Sequence, residues 1–157
     1  MARFETKHRV QHSAENMFAL VADVEQYPQF VPLCQSTAVR GRKDLGDGSE
    51  MIVADMTVAY KLVRETFTSR AHFDRPKMEI NVSYLDGPFH HLDNRWRFDP
   101  VDDATCDVHF YIDYEFRSRL LGSLMGTMFG LVFGKFSEAF EKRADQIYGK
   151  GDVLVKS

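Results

Sequence analysis

Residues 90–94, His-His-Leu-Asp-Asn, hold the densest set of groups able to move a proton or ligate a metal. On a strand, successive side chains alternate between faces, so His91 and Asp93 share one side and His90 and Asn94 the other. Adjacent histidines on opposite faces cannot close on one metal ion without a bend, and no metal site is read here. His91 and Asp93 read as solvated surface. Asn94 shares a face with Trp96, where its amide could hydrogen-bond a ligand carbonyl. Cys34 and Cys106 are the only cysteines. They are too few for a disulfide framework, and no spacing ties Cys34 to a base, so it reads as a buried structural thiol. Arg40, Arg42 and Lys43 form the only compact basic run and read as a solvated strand end. No inward acid and base converge, so no residue is assigned a catalytic role and the chain is read as a non-enzyme.

Composition narrows the classes. The chain has 157 residues, a net charge of −3, 44% hydrophobic and 27% charged residues. That is an ordinary globular balance, without the electrostatic footprint of a nucleic-acid binder. A single domain over residues 1–149 is expected, followed by a flexible tail at 150–157. The first ten residues, MARFETKHRV, lack the apolar core of a secretory signal, and with two cysteines this points to the reducing cytoplasm. A monomer is favoured.

The elements that must position any site follow from periodicity. Residues 3–11 alternate Arg3, Glu5, Lys7 and Arg9 against Phe4, His8 and Val10. Residues 78–84 alternate Met78, Ile80, Val82 and Tyr84 against polar neighbours. Residues 105–116 place Cys106, Val108, Phe110, Ile112, Tyr114 and Phe116 on one side. Such period-2 patterning predicts antiparallel strands with one buried and one wet face. Turn signals at 45–49, 74–77, 86–88 and 99–105 leave only hairpin-sized loops. Two further strands lie within 49–72, with mixed faces and no readable register. Ser13 predicts the N-cap of a short helix, and a second short helix follows, broken by Pro28 and Pro32.

A last helix is predicted from about Arg119 to Tyr148. Its second half is amphipathic, with Phe136, Phe140, Ala144 and Ile147 opposite Glu138, Glu141, Lys142 and Asp145. Its first half is apolar all round and carries Gly122, Gly126, Gly130 and Gly134, each costing about 0.8–1 kcal/mol relative to Ala. The fifteen uncharged residues between Arg119 and Lys135 reach about 22 Å as a helix, short of the roughly 30 Å of a bilayer core.

Together these elements predict an α+β architecture: a curved antiparallel sheet of about seven strands around a long C-terminal helix, with two short helices after the first strand. A bent sheet and a straight helix diverge at one end and leave a cavity. The thirteen Phe, seven Met and six Tyr suit an apolar pocket with a few polar anchors. The expected wall comprises Met78 and Ile80, then Leu92, Asn94, Trp96 and Phe98, then Phe110, Ile112 and Tyr114. From the helix come Met125, Gly126, Phe129, Gly130 and Phe133, the glycines being read as space-keepers.

Four segments then resemble one family. YPQFVPLC at 27–34, GPFHHLDNRWRF at 87–98, DYEFRSRLLGSLMG at 113–126 and AFEKRADQIYG at 139–149 are similar, in order, to segments of the coenzyme Q-binding branch of the START/polyketide-cyclase superfamily. The likeness spans residues 3–149, with Leu33 standing where relatives often carry tryptophan. It implies a helix-grip fold that binds ubiquinone or a related polyprenyl lipid as ligand, with no required cofactor. It also implies a carrier or chaperone role in quinone biosynthesis and respiration. Bacterial relatives are also labelled ribosome-association toxins, which makes the ribosome the alternative partner; a cyclase or hydrolase acting on an aromatic substrate is a more distant one. An apolar guest leaving a membrane needs an apolar rim, so transient contact with the inner face of the cytoplasmic membrane is expected. Its candidates are Tyr27, Phe30, Val31 and Leu33 on the proline-broken segment and Leu120, Leu124 and Leu131 on the helix.

Overall fold

The computed structural model describes residues 2–149. The segment 150–157, expected as a tail, lies outside them, as does the side chain of Leu131. The elements are β1 (Ala2–Val10), α1 (Ala14–Ala22), a 3-10 turn (Val24–Gln29), β2 (Cys34–Asp44), β3 (Ser49–Tyr60), β4 (Val63–Asp74), β5 (Glu79–Asp86), β6 (Phe89–Asp102), β7 (Thr105–Phe116) and α2 (Arg119–Tyr148). The seven strands form one antiparallel sheet in the order β1-β7-β6-β5-β4-β3-β2. Strands β2 to β7 thus pair with their sequence neighbours, while β1 crosses to the far edge beside β7. The helix-grip expectation holds.

Local chemistry explains the boundaries. The Ser13 hydroxyl accepts from Asn16 N at 3.0 Å and that of Ser118 from Leu121 N at 3.1 Å, so both helices start on side-chain caps. Gly87 between β5 and β6 is obligatory: at φ 141° an added Cβ would sit 2.6 Å from Phe67 Cβ.

Three boundaries depart from expectation. Met78 is not a strand residue; it sits at φ 54° in the turn before β5, closing it through its N–H on Arg75 O at 3.1 Å. Pro100 belongs to β6 rather than to a loop, tolerated because the register slips between Pro100 and Asp102. The β3–β4 connection is the two-residue turn Lys61–Leu62, with Lys61 at φ 54° and Leu62 102% exposed. A turn normally signalled by Gly or Asn is written there without either.

Helix α2 packs on α1, β1 and β7. Its C-terminal half is tied by side chains: His8 Nε2 to Glu141 Oε1 at 2.9 Å, His12 Nε2 to Asp145 Oδ1 at 2.7 Å, and Tyr148 O–H donating to Asn16 O at 3.3 Å. Phe140 and Ala144 are buried there, while Ile147, expected inward, is half exposed past the last strand contacts. The N-terminal half is seated by Phe129 and Phe133, whose rings lie 5.8 and 5.5 Å from that of Tyr114. Burying each such ring stabilises the domain by about 1.5–3 kcal/mol. By leaning on the β1–β7 side, the helix leaves the concave face of β2 to β5 partly uncovered. Residues there that face inward, such as Ala54, Met56, Phe67 and Val82, are accordingly only half-buried.

Candidate functional site

That uncovered concave face bounds a cavity of about 150 Å³. An apolar cavity of this order holds one benzene-sized ring. Strands β3 and β4 supply its floor with Ile52, Ala54, Met56 and Val58 facing Phe67, Ser69, Ala71 and Phe73. The register sets two small side chains, Ala54 and Ser69, opposite one another and gives Ile52 the small partner Ala71, which opens the volume. Strands β5 to β7 add Ile80, Val82, Phe89, Leu92, Asn94, Trp96, Phe110 and Ile112, and α2 closes over them with Phe129, Val132, Phe133, Phe136 and Phe140. The rings interlock edge-to-face: Trp96 lies 4.8 Å from Phe110 and 5.1 Å from Phe140, and Phe133 lies 5.0 Å from Phe136.

Of the sequence-expected wall, Ile80, Leu92, Asn94, Trp96, Phe110, Ile112, Phe129 and Phe133 border the cavity. Six others do not. Met78 is in its turn; Phe98 stacks on the outer side of Trp96 at 6.1 Å and meets Phe18; Tyr114 is surrounded by Phe89, Phe116, Phe129 and Phe133. Met125 is fully buried off the wall, and Gly130 is exposed. An added Cβ at Gly126, Gly130 or Gly134 would meet nothing within 4 Å. None of these glycines borders the cavity, whereas the small residues Ala54, Ser69 and Ala71 do. The two strands expected within 49–72 are β3 and β4; their inward faces were not readable because the Lys61–Leu62 turn carries no turn signal. Once it is placed, even positions of β3 and odd positions of β4 form the inward face.

The proline-broken segment contributes Tyr27, Val31, Pro32 and Leu33 to the wall, whereas Phe30 packs on Tyr27 and Phe140 under the Arg143 guanidinium. Leu33 sits at φ 66°, held there by Ala59 N–H donating to its carbonyl at 3.1 Å. A left-handed non-glycine residue costs about 1–2 kcal/mol, and such strain concentrates at working sites. Leu120 and Leu124 are 70% and 53% exposed and off the cavity.

Polar groups in the wall are few. The Tyr27 O–H donates to Val21 O, and burial holds its pKa well above the ordinary range. Thr37 donates to Val24 O at 3.0 Å. Asn94 donates to Tyr111 O at 2.9 Å and accepts from Trp96 Nε1 at 3.2 Å, which leaves one amide N–H unused. The Ser69 hydroxyl has no hydrogen-bond partner among the described residues. Asp55 contributes to the floor, but its carboxylate accepts from Thr68 at 2.6 Å and pairs with Arg40 at 3.0 Å. The wall can therefore offer two hydrogen-bond donors to a ring-sized apolar guest.

Elsewhere, the histidine cluster is dispersed. A register slip between Phe89 and His91 leaves His90 exposed instead of on the Asn94 face, while His91 pairs with Asp113 at 3.2 Å on the outer face. Burial pushes the Cys34 thiol up to about 11 and that of Cys106 to about 12, which disarms both as nucleophiles. No helix among the described residues is long and apolar enough to cross a membrane.

Comparison with known proteins agrees with this geometry. Residues 10–141 match the family described as polyketide cyclase / dehydrase and lipid transport. The chain is 36% identical over 141 residues to a ribosome association toxin RatA of Vibrio cholerae, covering 90% of this chain and 94% of that one. It is 33% identical over 145 residues to the mitochondrial coenzyme Q-binding protein COQ10 homolog B of Xenopus laevis, covering 90% of this chain and 57% of that protein. The solution structure of the 18 kDa protein CC1736 from Caulobacter crescentus superposes with a TM-score of 0.77 at 33% identity, over 95% of this chain and 99% of that one. A seven-stranded grip on one long helix, a cavity on its concave face and a match over most of the length converge: this chain belongs to the polyketide cyclase / dehydrase and lipid transport family.

Proposed function

We propose that this chain is a non-catalytic carrier that holds the ring of ubiquinone or a related polyprenyl quinone in the concave cavity, acting as a monomer in the cytoplasm and meeting the membrane transiently. The observation that carries the reading is the cavity itself: apolar, about 150 Å³, and provided with the spare N–H of Asn94 and the hydroxyl of Ser69. A quinone ring has carbonyl oxygens that accept from such donors, and a cavity of this size takes the ring while the prenyl tail leads out past Leu33 and Val132. The wall speaks for binding rather than turnover. Its two titratable side chains, Tyr27 and Asp55, are committed to Val21 O and to Thr68 and Arg40.

The similarity to the Vibrio cholerae toxin supports a second reading, ribosome association. Against it, many surface cations are already neutralised: Arg9 by Asp107, Arg42 by Glu25 and Glu50, Arg95 by Asp93, Arg97 by Asp99. A short-tail quinone titrated into the protein should quench Trp96, the single tryptophan, and raise the melting temperature, as any ligand of the folded state does. Extraction of the purified protein should release a polyprenyl quinone by mass spectrometry. Protein that comes out lipid-free and responds to no quinone, yet pellets with ribosomes, would replace the first reading by the second.

A further inference from the structure

We propose that the end of the sheet where β3, β5 and β7 finish docks on an anionic lipid bilayer, with the β3–β4 turn as its leading point. The purpose of such docking rests on the carrier reading; its geometry does not. Because all neighbours in the sheet are antiparallel, the ends of β3, β5 and β7, the starts of β2, β4 and β6, and the first turn of α2 all gather at one end. The three most exposed large apolar side chains among the described residues stand there: Leu62 at 102%, Leu120 at 70% and Leu124 at 53%. Leu85, near the end of β5, joins them.

Charge is divided in the same sense. Lys61, Arg64 and Arg119 are exposed at this end and have no acidic partner among the described residues. The turns of the opposite end carry Asp44, Asp47, Asp74, Asp102 and Asp103. Of the cations near those turns, Arg75 is paired with Glu15 and Arg9 with Asp107. That leaves Lys43 and Lys77 against five aspartates, whereas the docking end sets Glu65 and Asp86 beside its own three cations and Arg117. An anionic surface therefore attracts one end and repels the other, which sets orientation as well as affinity.

The turn itself is built for an interface. Tyr60 lies under the Lys61 ammonium at 5.2 Å, and Leu62 follows with no protein contact to shield it. An aromatic ring, a cation and a bare leucine in succession match headgroup, phosphate and hydrocarbon. A nucleic acid would use the cations but leave the leucines in water, so the bilayer is the better fit.

The test is flotation of the full chain with vesicles of phosphatidylcholine alone or mixed with phosphatidylglycerol. The chain should float with the mixed vesicles, far less with phosphatidylcholine alone, and less as salt rises. Leu62→Asp should weaken binding at least about tenfold, as expected for losing one buried leucine. Replacing Lys61, Arg64 and Arg119 with Gln should remove the preference for phosphatidylglycerol. Both variants should keep the wild-type melting temperature and short-tail quinone binding in buffer, which separates docking from the cavity reading. Wild-type chain that ignores mixed vesicles, or Leu62→Asp that binds them normally, overturns the proposal. So does a triple variant that loses ribosome pelleting while Leu62→Asp loses nothing.

Discussion

Asp107 shows how a single pair at the sheet edge couples folding to pH. Arg9 grips its carboxylate with Nε at 2.8 Å and Nη2 at 3.1 Å, and Lys7 Nζ stands 3.9 Å away. The hydrogen bond from Arg9 is the largest influence and holds the carboxyl below its ordinary value. A carboxyl lowered in the folded state adds stability above its unfolded value near 3.9, and that stability is lost as pH falls through the folded value. Arg9→Met should therefore raise the Asp107 pKa toward the ordinary range by NMR titration. Acid unfolding should begin at a higher pH, and below both pKa values the two proteins should be equally affected. Single residues were legible where they obeyed alternation, as with Asn94, Trp96 and Phe110. His90 was misplaced because a register slip, which no residue type announces, breaks the alternation before it.

At the scale of elements, the cavity owes its space to a pair of strands and not to the helix. Ala54→Leu would put a branched chain opposite Ser69 into the void. It should abolish quinone quenching of Trp96 while leaving the melting temperature equal or higher, because filling space is not overpacking. Gly130→Ala should do the opposite: binding unchanged, with stability raised by up to about 1 kcal/mol through helix propensity, or about 2–4 °C in the melt. Retained binding in Ala54→Leu, or lost binding in Gly130→Ala, would return the space-keeping role to α2. Strand β7 and the second half of α2 were readable because one face is wet and the other dry. The faces of β3 and β4 were not, since small residues (Ala54, Ser69, Ala71) interrupt the large apolar ones on the side that meets the cavity and the turn between them carries no signal.

The whole molecule is a chain of hairpins closed by one long-range pairing. From β3 to β7 each strand meets the one before it, whereas β1 pairs across the chain, Val10 with Cys106 and Ala2 with Tyr114. Local hairpins form before distant contacts repay their loop-closure entropy, so β1 joins late. Phe4, half-buried 6.2 Å from Phe110 and 6.3 Å from Phe133, reports that step. Phe4→Ala should destabilise by about 2–3 kcal/mol, below the 3–5 kcal/mol of a fully buried ring. Nearly all of the change should appear in the unfolding rate of a chevron; an equally slowed folding arm would place β1 in the nucleus. The architecture was legible from element order and loop length, but the edge position of β1 was not, since pairing across the whole chain leaves no local mark. That position also has a consequence during synthesis. At about 5–20 residues per second, β7 emerges roughly 5–20 s after β1. Throughout that interval β1 is a bare strand, and Arg3, Glu5, Lys7 and Arg9, alternating along its outer face, are the charges that keep other chains from pairing with it first.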